Sequence, residues 1–229
     1  MVGYFGYIMV MIVGALISGA AALWVRSSYK KYSKQRSASG LTGAQTARMI
    51  LDRNGLTNVR VEPVAGQLTD HYDPRSKVVR LSESNFRDST IAGVSVAAHE
   101  VGHAIQDATG YVPMKLRSGL VPIVNFGGQL WTPLFIMAII MGVGTSLGSL
   151  FIQLAVLAFA GVLAFHIVTL PVEINASTRA YGLLTRYGVL SSSEVGGTRR
   201  VLTAAAFTYI AAALTSLLTL LYLLMLSRD

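Results

Sequence analysis

The stretch from Leu147 to Leu170, LGSLFIQLAVLAFAGVLAFHIVTL, is apolar along its length and contains no Asp, Glu, Lys or Arg. A helix needs about 20 such residues to cross the hydrocarbon of a bilayer. Three further stretches have the same character, at about Tyr4 to Val25, Leu120 to Gly142 and Val201 to Leu226. The sequence therefore predicts four transmembrane helices.

The composition supports a membrane protein. Of the 229 residues, 52% are hydrophobic and 13% are charged, whereas soluble domains carry about 25% charged residues. The absence of Cys excludes disulfides, thiolate metal sites and a Cys nucleophile. Any metal site must therefore be built from His and carboxylate side chains.

The basic residues predict an orientation. Of the 19 Lys and Arg, fourteen lie in residues 26–118, four lie in residues 172–200, and Arg228 follows the last span. Lys and Arg near the ends of transmembrane helices concentrate on the cytoplasmic side. We therefore expect both segments to be cytoplasmic and both termini to lie outside. The net charge of +8 is then explained by a membrane surface and not by nucleic acid.

Residues 26–118 have the pattern of a small α+β domain. Thr42-Gly43-Ala44-Gln45 is a capping box that opens a helix ending near Asn54-Gly55. Three short strands are expected, followed by a helix from Thr90 to about Gln106. The strands are Val59-Arg60-Val61, Leu68 to Tyr72 and Val78 to Leu81, the last two joined by a turn at Asp73-Pro74-Arg75-Ser76.

The segment VAAHEVGHAIQ, residues 96–106, carries the chemistry. His99 and His103 are four residues apart, so on a helix they share one face and can bind one ion. Glu100 can then act as the base for a metal-activated water, and we expect Gly102 to leave room beside the metal. The alternative is a buried helix with hydrogen-bonded histidines, which would place three ionisable groups in one apolar turn.

A catalytic zinc site needs a third protein ligand and an open position. Glu173, in LPVEINASTRA just after the third span, is the best candidate, because that span returns the chain to the membrane face of His99. Alternatively, Glu173 is an interfacial carboxylate paired with Arg179. His166, inside the span, is an alternative ligand. His71 either donates to the reacting oxygen or is a plain turn residue.

HEVGH, LPVEINASTRA and DHYDPRSKVVRLS (residues 70–82) together resemble the bacterial neutral zinc metallopeptidase family, the YugP-like membrane proteases, over nearly the whole chain. More distantly, the order of parts resembles the membrane gluzincins related to Ste24 and HtpX. The resemblance implies one zinc per chain held by His99, His103 and Glu173, with Glu100 as catalytic base. The ExxxD motif of those gluzincins has Asp where this chain has Ser177.

An Asp at that position would orient a ligand histidine. Asn175 or Ser177 can substitute for it in this chain. Arg179, Tyr181 and His71 remain alternative stabilisers of the oxyanion.

The predicted fold is a mainly α membrane protein with about four transmembrane helices and a small cytoplasmic α+β, gluzincin-like peptidase domain. The predicted divisions follow the spans. They are an N-terminal transmembrane anchor (1–25), a cytoplasmic peptidase domain with the HExxH helix (26–118), transmembrane helices 2 and 3 (119–171), a cytoplasmic loop with the third ligand (172–200), and transmembrane helix 4 with a short tail (201–229).

The predicted function is that of a zinc metalloendopeptidase in the bacterial cytoplasmic membrane. It would hydrolyse peptide bonds near the cytoplasmic membrane surface, in membrane or membrane-proximal polypeptides. The alternative is a non-catalytic metal-binding membrane adaptor or partner subunit, although an adaptor would not need Glu100. A transporter or channel that uses His166 is disfavoured, because the spans carry too few polar residues for a continuous path.

Overall fold

The computed structural model describes residues 2–228. Within them the chain is mostly helical, with one three-stranded sheet. The helices are α1 (Val2–Tyr32), α2 (Gly43–Arg53), α3 (Glu83–Arg87), α4 (Ile91–Ala108), α5 (Val112–Met141), α6 (Ser146–Arg186) and α7 (Val195–Leu226). The strands are β1 (Arg60–Val64), β2 (His71–Asp73) and β3 (Val78–Ser82).

Four of the described helices, α1, α5, α6 and α7, are long and apolar enough to cross a membrane. They coincide with the four apolar stretches of the sequence. Helix α6 continues through Pro171 to Arg186, so the first half of the predicted loop 172–200 is helical. Proline removes one backbone hydrogen bond, but ending the helix there would leave further backbone groups without partners beside an apolar span.

The chain divides into two compact units. The first comprises residues 1–21, 115–170 and 208–229. Its core contains Phe135, Ile152, Phe159 and Leu223. Helices α5 and α6 approach closely at Gly127, because a Cβ there would lie 2.7 Å from the backbone oxygen of Ala158.

The second unit comprises residues 22–114 and 171–207. Its helix α2 begins with the predicted capping box, in which Thr42 and Gln45 exchange side-chain to backbone hydrogen bonds. Ile50 and Leu51 of α2 are fully buried in the core of this unit. The helix ends at Asn54, as the sequence predicts.

The sheet of the second unit has the order β1-β3-β2. Strand β1 pairs parallel to β3, and β2 pairs antiparallel to it. The predicted turn forms, with Asp73 accepting hydrogen bonds from the Arg75 backbone and the Ser76 hydroxyl. The prediction of a strand beginning at Leu68 is wrong, because the backbone of Leu68 is left-handed, with φ of 57°.

Helix α4 begins where the sequence predicts. The Thr90 hydroxyl caps it by accepting from the Gly93 backbone at 3.1 Å. Ala97, Ala98 and Val101 are fully buried in the core. This packing fixes the rotation of α4 about its axis and hence the direction of His99 and His103.

Candidate metal centre

Helices α4 and α6 come close together within the second unit, and the reason is Gly102. A Cβ at Gly102 would lie 2.8 Å from the backbone oxygen of Ala176. The expectation that Gly102 leaves room beside a metal is therefore wrong, since the backbone of α6 fills that space. A side chain larger than hydrogen would push the two helices apart.

The close approach brings three predicted ligands together. The Nε2 atoms of His99 and His103 lie 3.2 Å and 3.5 Å from Oε2 of Glu173. Within residues 2–228, these three form the one group of at least three His, Asp or Glu side chains that could hold an ion, with their ligand atoms within 4.8 Å of one another. His166 is not a member of this group.

The arrangement fits zinc. In a tetrahedral site with bonds of about 2.0–2.1 Å, neighbouring ligand atoms lie about 3.3 Å apart. The two imidazole–carboxylate distances of 3.2 Å and 3.5 Å agree with that spacing. Two imidazoles and one carboxylate are also the donor set of known zinc peptidases. The Glu173 side chain is only 2% exposed, so these residues hold a buried carboxylate against two histidines.

His103 has a second partner that the sequence did not suggest. Its Nδ1 lies 3.0 Å from Oε1 of Gln106, a fully buried residue one helical turn further along α4. The Gln106 amide nitrogen donates to the backbone oxygen of Val172 at 2.8 Å and to Oδ1 of Asn175 at 3.0 Å. In the sequence, Gln106 follows His103 by three residues, which places both on one face of α4. The role of Gln106 becomes apparent only from its contact with α6.

Ser177 contacts the other histidine. Its hydroxyl lies 3.2 Å from Nδ1 of His99. A serine therefore hydrogen-bonds a ligand candidate at the position where the gluzincin motif has Asp. Asn175 lies elsewhere in the network, because its Oδ1 accepts from Gln106 and from Nε of Arg179.

Glu100 is buried, with 8% of its surface exposed. Burial is the largest cause that raises the pKa of its carboxyl above the usual value, and the charges of Glu173 and Asp70 act in the same direction. The charges of His99 and His103 oppose this shift. The base candidate therefore lies within the electrostatic reach of all three ligand candidates.

In His103, a hydrogen bond and neighbouring charges outweigh the effect of burial on the pKa. Burial by itself lowers the pKa of its imidazole, but the hydrogen bond to Glu173 and the charge of Glu100 raise it more. The net pKa is above the usual histidine value. The site is thus a tightly coupled set of ionisable groups.

The remaining predicted site residues lie in other contacts. His71 is exposed at the start of β2, with Nδ1 2.8 Å from the backbone oxygen of Thr69. The Arg179 guanidinium donates to Asn175 at 2.7 Å. The Tyr181 ring lies under the guanidinium of Arg199, whose centre is 4.7 Å from the ring centroid. None of these contacts selects an oxyanion stabiliser.

Comparison with known proteins is consistent with this centre. Residues 7–228 match the model of a family described as "Putative neutral zinc metallopeptidase". The "Putative membrane protease YugP" of Bacillus subtilis (strain 168) is 44% identical over 219 residues, which cover 96% of this chain and 95% of that protein. No solved structure matches the chain.

Proposed function

The chain belongs to the neutral zinc metallopeptidase family whose model it matches, and on this premise we propose that it is a zinc metalloendopeptidase. Its four apolar helices and its similarity to a membrane protease make it a membrane protein. In this proposal, one zinc ion per chain is held by His99, His103 and Glu173. Glu100 is the general base.

One observation carries the proposal. Two histidine Nε2 atoms from α4 converge on one buried carboxylate oxygen from α6, at 3.2 Å and 3.5 Å. Burying three ionisable groups is costly unless they are paired or bind a metal. A site that only stabilised the fold would not require a fourth buried ionisable group, yet the Glu100 carboxyl is buried and electrostatically coupled to the cluster.

The chemistry follows from these side chains. Zinc bound by such ligands supplies Lewis acidity, which makes water more acidic and polarises a carbonyl. Glu100 accepts the proton of the water whose oxygen bonds to the peptide carbonyl carbon. It then gives that proton to the leaving nitrogen as the carbon–nitrogen bond breaks. Glu173, His99 and His103 stay fixed through both proton transfers.

We propose that the substrate is a membrane or membrane-proximal polypeptide, cleaved near the cytoplasmic surface of the bacterial cytoplasmic membrane. Strand β2 suits an extended peptide, because it pairs with β3 on one side only among the described strands. Asp70, just before β2, acts electrostatically on Glu100. The β2 edge therefore begins at a residue whose charge acts on the proposed base.

The test measures zinc content and peptide hydrolysis of the purified full-length chain. Glu100→Gln should keep its zinc and lose about 10²- to 10⁴-fold in hydrolysis rate, because only the proton acceptor is removed. His99→Ala and Glu173→Ala should lose zinc as well as activity. The control is Gln153→Ala, which changes an exposed side chain of the first unit that bonds to Ser149.

Each of three results would contradict a part of the proposal. A folded wild-type chain that holds zinc but cleaves no member of a peptide library favours the adaptor. If Glu173→Ala binds zinc as tightly as the wild type, the third ligand is another residue. Full hydrolysis by Glu100→Gln would exclude that residue as the base.

A further inference from the structure

The geometry points to Gln106 as a positioning residue that fixes the tautomer of His103 and leaves its Nε2 free to bind the metal. This inference rests on the proposed function, because it concerns one of the proposed ligands. Gln106 is fully buried at the contact between α4 and α6. It belongs to neither the predicted ligand set nor the HExxH motif.

The orientation of the Gln106 amide is determined by two acceptors. One end of the amide lies 2.8 Å from the backbone oxygen of Val172, which can only accept a hydrogen bond. The same end lies 3.0 Å from Oδ1 of Asn175. That Asn175 atom also accepts from Nε of Arg179 at 2.7 Å, and an arginine nitrogen can only donate. Both neighbours therefore require the NH₂ end of Gln106.

The other end of the amide must then be the carbonyl oxygen. It lies 3.0 Å from Nδ1 of His103 and can only accept. Nδ1 of His103 must therefore carry a proton, and in the neutral ring that would bind an ion the lone pair lies on Nε2. This is the nitrogen that lies 3.5 Å from Glu173. The network thus selects the nitrogen that faces the proposed ion.

The opposite orientation of the Gln106 amide is unfavourable. Turning the Gln106 amide around would place its oxygen against two acceptors and its NH₂ against the Nδ1 proton. Each buried polar group left without a partner costs about 1–3 kcal/mol. The arginine at the far end anchors the chain of hydrogen bonds, since its charge strengthens the bond to Asn175.

His99 differs from His103 in the partner of its Nδ1 atom. Its Nδ1 partner is the Ser177 hydroxyl at 3.2 Å, which can rotate to donate or to accept. Ser177 therefore holds the ring of His99 without selecting its tautomer. Of the two partners that face an Nδ1 atom, Ser177 and Gln106, the amide of Gln106 is the one that imposes a direction.

The test measures zinc affinity by competition with a chromophoric chelator, using the full-length chain in detergent. Gln106→Met keeps the length of the side chain but removes the acceptor, and it should bind zinc about 10- to 100-fold more weakly. Gln106→Glu keeps an acceptor opposite Nδ1 but turns a second oxygen toward the acceptors of Val172 and Asn175, so it should recover only part of that loss. Asn175→Leu removes one of the two acceptors and should have an intermediate effect.

Ser95→Ala is the matched control. Ser95 is a fully buried polar residue of the same helix, and its hydroxyl bonds to Ile91 and Thr198, neither of which belongs to the ligand network. It should leave zinc affinity unchanged even if it lowers the unfolding temperature. Unfolding temperatures of the zinc-free variants separate a loss of folding from a loss of affinity. If Gln106→Met does not fold, Asn175→Leu and Gln106→Glu carry the test.

A spectroscopic readout isolates the tautomer. The chain has four histidines, so long-range ¹H–¹⁵N spectra of labelled protein are resolvable. The proton on Nδ1 of His103 should be observed in the wild type and should exchange faster in Gln106→Met.

A folded Gln106→Met that binds zinc as tightly as the wild type overturns the inference and leaves the proposed function intact. If the wild type binds zinc and Gln106→Met weakens it, but no peptide is cleaved, the peptidase proposal fails and the positioning role stands. A folded wild type without zinc affinity overturns both.

Discussion

Two regions of the second unit differ in how far their polar side chains are exposed to solvent. In the α4–α6 junction, residues 99–106 and 172–180, the polar side chains that carry the site are buried or partly buried, and most are bonded to specific partners. In the β2–β3 hairpin, residues 71–82, Arg80 contacts Asp73 at 3.4 Å and Glu62 at 3.8 Å, and all three side chains are about one-third exposed.

Solvent accounts for the difference. Water can replace any partner in the hairpin, so its ion pairs contribute about 0–1 kcal/mol each. Water does not reach the junction freely, and each polar group there depends on one arrangement. The contacts of the junction are therefore confined to one arrangement, whereas the contacts of the hairpin can exchange with water.

Among the substitutions in this comparison, Gly102→Ala should disturb the packing of α4 on α6 most. The new methyl group would lie 2.8 Å from the backbone oxygen of Ala176, so α4 and α6 must separate. We expect a destabilisation of about 1–3 kcal/mol, measured by thermal unfolding, together with loss of zinc binding. The matched control is Gly182→Ala in α6, where a Cβ meets nothing within 4 Å. That variant should be neutral or more stable by up to about 1 kcal/mol. Equal behaviour of the two variants would contradict the role of close approach.

A smaller effect is expected from Ser177→Ala. His99 would lose the hydroxyl 3.2 Å from its Nδ1, and zinc affinity should fall by about tenfold, the low end for a residue that supports a metal ligand. Ser177→Asp, which restores the carboxylate of the gluzincin motif, should bind zinc more tightly than Ser177→Ala. Thr178→Ala is the control, because the Thr178 hydroxyl bonds only to the helix backbone at Ile174. Unchanged affinity in Ser177→Ala would mean that His99 needs no such support.

The smallest effect should come from the hairpin. Arg80→Ala removes contacts to Glu62 and Asp73 that are partly exposed, so stability should change by less than about 1 kcal/mol and zinc affinity should not change. The stability difference should shrink further in high salt, because mobile ions screen exposed charges. A large loss of zinc affinity would show that the hairpin supports the metal site, and the contrast between the two regions would fail.

Local signals in the sequence account for much of the fold. The four long apolar stretches, the capping box at Thr42 and the start of α4 at Thr90 depend on residues close together in the chain. Helix length, capping and burial in lipid act over one helix at a time. The pairing of His99 with His103 is also local, since both lie on one helix.

The parallel pairing of β1 with β3 was not predictable from the sequence pattern, because strand partners are set by packing on α2 and α4 and not by alternation of residue types. The continuation of α6 through Pro171 was likewise not predictable from the sequence pattern. Proline reduces helix stability by about 3 kcal/mol in isolation, and only the surrounding contacts decide whether the helix continues.

By itself, the sequence determined the four apolar helices, the HExxH turn and Glu173 as the best partner for its histidines. Tertiary structure alone decided why residue 102 is glycine and that Gln106 faces His103. It also decided that Ser177 reaches His99. Each of these depends on α6 lying against α4, with Ala176 above Gly102. The physical reason is that these contacts join residues at least 69 positions apart in the chain. Their atoms lie 3.0–3.2 Å apart because α4 and α6 pack together, and a linear pattern contains no record of that contact.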